Sequence, residues 1–292
     1  MAELSPFELR RMLALRRFPV ISEAELAELA MLAENVTEVT LPAGTVVATA
    51  GRRLPAVHLV LHGEIASAGL HPRTWRDGQV FGGLEVLAHR EAGEAAVTTT
   101  ETTTLQLLES DAIDVLEDSF GVLLAVLRGL AAHTTRRLAR PPGPAQASTR
   151  PFGLVERLMA LRQQPMFAKA PMDALVALSH SSEEIARAAG TVMVRAGDAS
   201  AGAWVVLEGA LRATGGGGAR QLGPGDVVGL VEALGELAHG ETVEASTAVR
   251  VVELATTNLF DVIEDHTDFG RSIIAVLAGE LADSLAGLPL TN

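Results

Sequence analysis

The sequence predicts a mainly β fold with flanking α-helices: two tandem β-rolls of the double-stranded β-helix, jelly-roll-like kind. Three observations carry this reading. The chain repeats itself at a nearly constant spacing, glycines punctuate short β-branched runs in each copy, and apolar helical stripes open and close each copy.

The repeat is legible residue by residue. Ala43-Gly44-Thr45-Val46-Val47 returns as Ala189-Gly190-Thr191-Val192-Met193, Ala50-Gly51 as Ala196-Gly197, and Val60-Leu61-His62-Gly63 as Val206-Leu207-Glu208-Gly209, all at an offset of 146 residues. Gly78, Gly82 and Glu117-Asp118 then match Gly225, Gly229 and Glu264-Asp265 at 147, so one residue is inserted between the two blocks. Pro141, Pro142, Pro144 and Pro151 crowd the stretch between the copies, where proline ends a helix and stiffens a linker. This places domain 1 at residues 1–138, a Pro-rich linker at 139–151 and domain 2 at 152–292.

Each copy opens in helix. Leu26, Leu29, Ala30 and Ala33 fall at i, i+3, i+4 and i+7, with Ser22 and Glu25 at capping-box spacing ahead of them. Leu154, Leu158 and Leu161, then Met172, Leu175 and Leu178, do the same in copy two. Strands follow at 45–49 and 57–61. The threonine-dense run Thr98–Thr104 favours strand, and Val243, Ala245, Thr247, Val249 and Val251 alternate onto one face. Gly215 to Gly218 reads as a hairpin between Leu211 and Leu222; it lacks the Lys-Ser/Thr of a phosphate loop. The closing stripes are Ala112, Val115, Leu116, Leu123, Val126, Leu127 and Leu130 in copy one, and Val262, Ile263, Ile273, Ile274, Leu277 and Leu281 in copy two.

Composition narrows the function. Thirty-six Asp and Glu against 23 Lys and Arg give a net charge of −13, which repels phosphate backbones and anionic membranes, so neither nucleic acid nor membrane is expected as a partner. The small basic group Arg136, Arg137, Arg140 and Arg150 reads as a solvated helix end and linker. The absence of cysteine removes disulfides, zinc-thiolate sites and thiol chemistry. No run approaches the roughly 20 apolar residues of a membrane span, and residues 1–17 do not read as a signal peptide; a cytoplasmic protein is the expectation.

The order helix, "PAGTVV", "VHLVLHGEI", "DGQVFGGLEVL", strand and closing helix resembles the cyclic-nucleotide-binding domain family. Copy two repeats it as "AAGTVMVRAGD", "AWVVLEGAL" and "GPGDVVGLVEAL". The resemblance spans about 10–138 and 154–288, and implies in each copy a β-roll with a phosphate-binding cassette at its middle. In the family, a short helix offers backbone N–H groups to the cyclic phosphate, a Glu accepts from the ribose 2′-hydroxyl, and an Arg forks onto the phosphate.

Both copies depart from that cassette. Gly82 is followed by Gly83 and Leu84 where the Glu is expected, and Gly229 by Leu230 and Val231. The arginine position falls at Gly93 or Glu94, ahead of Ala95, and at His239 or Glu241, ahead of Thr242. A carboxylate there repels a phosphate by about 1 kcal/mol or more at close range even in water. Glu85 and Glu232 stand two residues beyond the family Glu and read first as solvated helix positions, with contact to a ribose open only after a register shift; Arg90 is the one arginine of the copy-one cassette loop that could swing toward a ligand, and its counterpart is Leu237.

His58 and His62 lie four apart and on a regular strand share a face, but copy two has Trp204 and Glu208 there, so they read as strand histidines and not a cupin-type metal site. Trp204 reads as core; Trp75 sits among Arg73, Arg76 and Asp77, where an exposed partner anchor is the sharper of two open readings, the other having no functional role. No helix-turn-helix follows either roll, which argues against direct DNA contact. The expected function is a non-catalytic regulatory or adaptor protein with degenerate cassettes, acting through a protein partner, needing no cofactor or metal, with self-association through the closing helices as a further expectation. The alternative is a cyclic-nucleotide sensor with an atypical pocket.

Overall fold

The computed structural model describes residues 6–21, 24–69, 72–134 and 152–286. The linker at 139–151 and its arginines lie outside these. Copy one runs α1 (Pro6–Leu15), α2 (Leu26–Asn35), β1 (Val36–Leu41), β2 (Val46–Ala48), β3 (Ala56–His62), β4 (Glu64–Ala68), β5 (Thr74–Arg76), β6 (Val80–Phe81), α3 (Gly83–Leu87), β7 (Ala95–Thr98), β8 (Thr102–Leu108), α4 (Glu109–Asp118) and α5 (Phe120–His133). Copy two runs α6 (Leu154–Arg162), α7 (Met172–His180), β9 (Glu183–Arg187), β10 (Val192–Val194), β11 (Gly202–Glu208), β12 (Leu211–Gly215), β13 (Gly218–Leu222), β14 (Val227–Val228), α8 (Leu230–Gly235), β15 (Glu241–Ala245), β16 (Val249–Ala255), α9 (Thr256–Asp265) and α10 (Thr267–Leu285).

The two copies share one topology. Copy one pairs β1-β8-β3-β6 and β2-β7-β4-β5; copy two pairs β9-β16-β11-β14 and β10-β15-β12-β13, all antiparallel. Two facing four-stranded sheets make each roll. Gly63 and Gly209 show why the repeat is glycine-rich. At φ of +101° and +84° each turns the chain from one sheet to the other, and a side chain there would run into the backbone carbonyl of Glu101 or Ala248.

The described residues pack as two compact units, 6–129 with 277–286, and 130–276. The packing boundary therefore differs from the repeat boundary: the last turns of α10 belong with copy one's roll. The expected closing stripes are buried except at half-buried Leu281, with Leu123, Leu127, Ile263, Ile273 and Leu277 showing no measurable exposure. In unit two, Phe167 and Phe269 pack at 5.7 Å between ring centroids.

Four local expectations are corrected. Helix α2 begins at Leu26 with Glu25 as its cap, whose N–H donates to Glu28 Oε2 at 2.7 Å; Ser22 lies outside the described residues. Thr98 to Thr104 is not one strand but the end of β7 and the start of β8, because the chain must turn between sheets there. Val243, Ala245, Val249 and Val251 share a core, whereas Thr247 sits in the exposed turn between β15 and β16, its hydroxyl accepting from Ala210 N–H at 2.9 Å. His58 and His62 do not share a face: the β3–β8 register shifts between Val60 and His62, burying His58 and leaving His62 exposed beside Asp77 at 3.4 Å. The glycine run does form a hairpin, with Gly215 opposite Gly218.

Gly209→Ala is expected to lower stability by about 1–3 kcal/mol, from the left-handed backbone and the clash with Ala248. Gly216→Ala, whose added Cβ meets nothing, should stay within about 0.5 kcal/mol. Urea unfolding of the two variants compares them directly.

Candidate functional site

The site is built around the step from strand to short helix. β6 leads through Gly82 into α3, and β14 through Gly229 into α8, with φ of +79° at both glycines. The left-handed residue bends the chain within one position, so the helix starts against the roll wall. A Cβ on Gly82 would meet Leu54 Cδ1 at 2.9 Å and the Ala56 carbonyl at 3.3 Å; one on Gly229 would meet the Gly202 carbonyl and the His239 ring, both at 2.9 Å.

In copy one this step borders a cavity of about 330 Å³. Small residues, Ala48, Ser67, Ala92, Gly93 and Ala96, leave the space; Trp75, Phe81, Leu54 and Leu285 wall it; Arg73, Glu85 and Glu94 bring charge to it. Trp75 meets Phe81 edge-on, at 4.9 Å and 81°, and the Arg73 guanidinium lies 5.5 Å from the Trp75 ring centre. The expectation of Trp75 as an outward anchor is thus corrected. It is half-buried, because β5 pairs with β4 and Trp75 stands opposite the buried Ile65.

Copy two fills the same space. At the matching positions stand Val194 for Ala48, Leu222 for Trp75, Val228 for Phe81, His239 for Ala92 and Val243 for Ala96, all buried. The backbone fixes the His239 match: Gly51 and Gly197 donate to the carbonyls of Ala92 and His239, each at 2.8 Å. His239 stacks on Trp204 at 6.1 Å and 27°, and its Nε2 is buried with no hydrogen-bond partner among the described residues. Leu230 and Val231, at the matching places of Gly83 and Leu84, are buried too. This interior is a packed core and not a socket.

The residues singled out in the sequence separate accordingly. Glu85 and Glu94 line the cavity, with Gly82 and Gly83 at its helix start and half-buried Leu84 and Ala95 on the flanking elements. Arg90 does not turn toward a ligand. Its Nη1 donates to Asp283 Oδ1 at 2.6 Å and to the Gly279 carbonyl at 3.1 Å, since a buried carboxylate on α10 holds it more strongly than an open loop would. Glu232 is half-buried on α8. Glu241 is held by Arg220, whose Nη2 and Nε reach Glu241 Oε2 at 2.6 and 3.2 Å, and Thr242 Oγ1 accepts from the Ala196 N–H at 3.0 Å. Sequence reasoning passed over Ala92, Arg73 and Arg220; aligning the copies at the 147-residue offset would have exposed all three.

Comparison with known proteins gives one family-model match and a set of similar solved structures. Residues 185–266 match the family model for the cyclic nucleotide-binding domain. The match lies wholly within the second copy. No curated protein matches the sequence. Among solved structures, the chain is similar to the regulatory domain of Toxoplasma gondii PKA with cAMP, at 15% identity over 92% of this chain and 97% of that one, TM-score 0.37. It is similar to the regulatory subunit of a cAMP-independent protein kinase A from Trypanosoma brucei, at 16% over 91% and 89%, TM-score 0.37. The N-terminal domain of a transcriptional regulator from Streptomyces coelicolor matches at 22% over 44% of this chain and 97% of that one, TM-score 0.40. The family-model match thus falls in the copy whose interior is filled.

His58 occupies in copy one the place of Trp204, buried with Nδ1 3.2 Å from Thr104 Oγ1. Burial lowers its pKa from 6.5, so the folded state holds the neutral ring. Below pH 6.5 the unfolded chain takes up the proton more readily, and stability falls as pH drops toward the depressed folded pKa. Thermal unfolding between pH 7.5 and 5 should show this loss, and His58→Gln should flatten it.

Proposed function

We propose that this protein is a non-catalytic regulatory module that works through a protein partner, with neither roll using the family's phosphate chemistry. One observation carries the reading. Neither copy has an arginine where the resemblance places the phosphate-binding one, a position that falls at Gly93 or Glu94 and at His239 or Glu241, and Glu241 is already engaged by Arg220. A cyclic phosphate there would find no arginine at the cassette position in either copy, and a carboxylate close by, Glu94 or Glu241. In copy two it would also have to displace His239, Leu222 and Val243 from a packed interior. That copy serves as a rigid scaffold. Function then rests on its surface and on copy one.

The cavity of copy one favours a second reading, a small-molecule sensor with an atypical pocket, in which occupancy of one roll sets the partner interaction.

Cyclic AMP and cyclic GMP at millimolar excess should leave the unfolding temperature of the full chain unchanged, because only a ligand that prefers the native state raises it. A rise of several degrees with either nucleotide would overturn the proposal.

A further inference from the structure

We infer that the first helices of the two copies are complementary docking faces, through which α1 of one molecule packs on α6 of a second copy of this chain. The inference names one partner for the proposed regulatory module and rests on that reading. Each helix is apolar on two sides. Met12 and Leu15 of α1 and Leu161 of α6 face inward and are buried. Leu9 and Leu13, one turn apart on α1, are 48% and 62% exposed; Val155 and Met159, one turn apart on α6, are 67% and 61% exposed.

The repeat shows that these residues are not scatter. At the offset of 146 residues Leu9 matches Val155 and Leu13 matches Met159, and exposed Leu26 at the start of α2 matches exposed Met172 at the start of α7. The interiors of the two copies have diverged, whereas these outward positions are large and apolar in both. Single exposed apolar residues are ordinary on a folded surface; pairs kept one turn apart on the same helix of both copies are what a packed helix face requires.

Charge selects the occupant. Beside the apolar pair, exposed Arg10 of α1 is matched by exposed Glu156 in α6. Arg10 lies 4.0 Å from Glu38, an ion pair too open to the solvent to hold it firmly. Arg16 and Arg17, which follow α1, are exposed as well. Their counterparts are Arg162, whose guanidinium donates to the carbonyls of Ala168 and Ala170, and neutral Gln163. Glu8, the acidic residue of α1, is half-buried and has a partner within the chain. The outer face of α1 is thus basic and that of α6 carries an exposed carboxylate. An anionic membrane or one shared partner protein would meet opposite charges at the two faces, whereas the faces suit each other. Every molecule carries one of each, so the contact joins unlike surfaces.

Sedimentation velocity of the full chain in low salt, from about 1 µM to about 1 mM, should show a mass above that of one chain, rising with concentration. Leu13→Glu and Met159→Glu, both at exposed positions, should each keep the unfolding temperature and leave the chain monomeric. An equimolar mixture of these two variants should form one-to-one pairs, because the intact α6 of the first meets the intact α1 of the second. Arg10→Glu should weaken association several-fold, and adding Glu156→Arg in the same chain should restore it. A monomeric wild type at every concentration would overturn the inference and leave the faces to a different protein. Association that survives Leu13→Glu or Met159→Glu, a mixture that stays monomeric, or a charge reversal without rescue would each overturn it too. Thermal unfolding with cyclic AMP, run alongside, separates the two readings: a rise sinks the proposed function, whereas a monomer that ignores the nucleotide sinks only the self-association.

Discussion

A β-roll of eight short strands encloses a volume that either side chains or a ligand must occupy, since a folded interior tolerates little empty space. Everything distinctive about this protein follows from how the two copies meet that constraint. Their strand orders are the same and their turns fall at matching glycines, so the backbone leaves equivalent space in both. Copy two spends bulky residues on it, with His239 laid against Trp204 and valines at positions 194, 228 and 243. Copy one has alanine at 48, 92 and 96, and the space stays open.

Charge then determines what an open roll can hold. Both copies keep a short helix that starts at a left-handed glycine against the roll wall, and both carry a carboxylate on the chain leading into the next strand or at its start, Glu94 and Glu241. In copy two that carboxylate is structural, since Glu241 ties β15 to β13 through Arg220 across the intervening β12. In copy one Glu85 and Glu94 line a cavity together with Arg73. The same residue types therefore act as a strap in one roll and as lining in the other. The difference lies in the neutral residues around them.

Much of the fold was legible because a repeat encodes the same backbone twice. The glycines at 63 and 209 mark the same sheet crossing, and their spacing survives a one-residue insertion. What stayed hidden was tertiary. Periodicity placed His58 and His62 on one face, but a bulge after Val60 turned them apart. Trp75 looked exposed among its charged neighbours; only pairing with β4 brings it inward. Arg90 looked available because its partner, Asp283, lies far along the chain. Glu85 and Glu94 were identified as candidates, yet the cavity they line depends on small residues, which carry no chemical signal of their own. The carboxylates were legible as types, whereas the emptiness beside them was not.

The contrast between an open and a filled roll can be measured with the two tryptophans, one at the edge of each interior. Acrylamide quenching of Trp75 emission in a Trp204→Phe variant, and of Trp204 emission in a Trp75→Phe variant, reports how readily a small molecule reaches each ring. Trp75 should be quenched several-fold more efficiently than Trp204, which is 9% exposed. Equal protection of the two rings would mean that copy one is as closed as copy two, and would contradict the account.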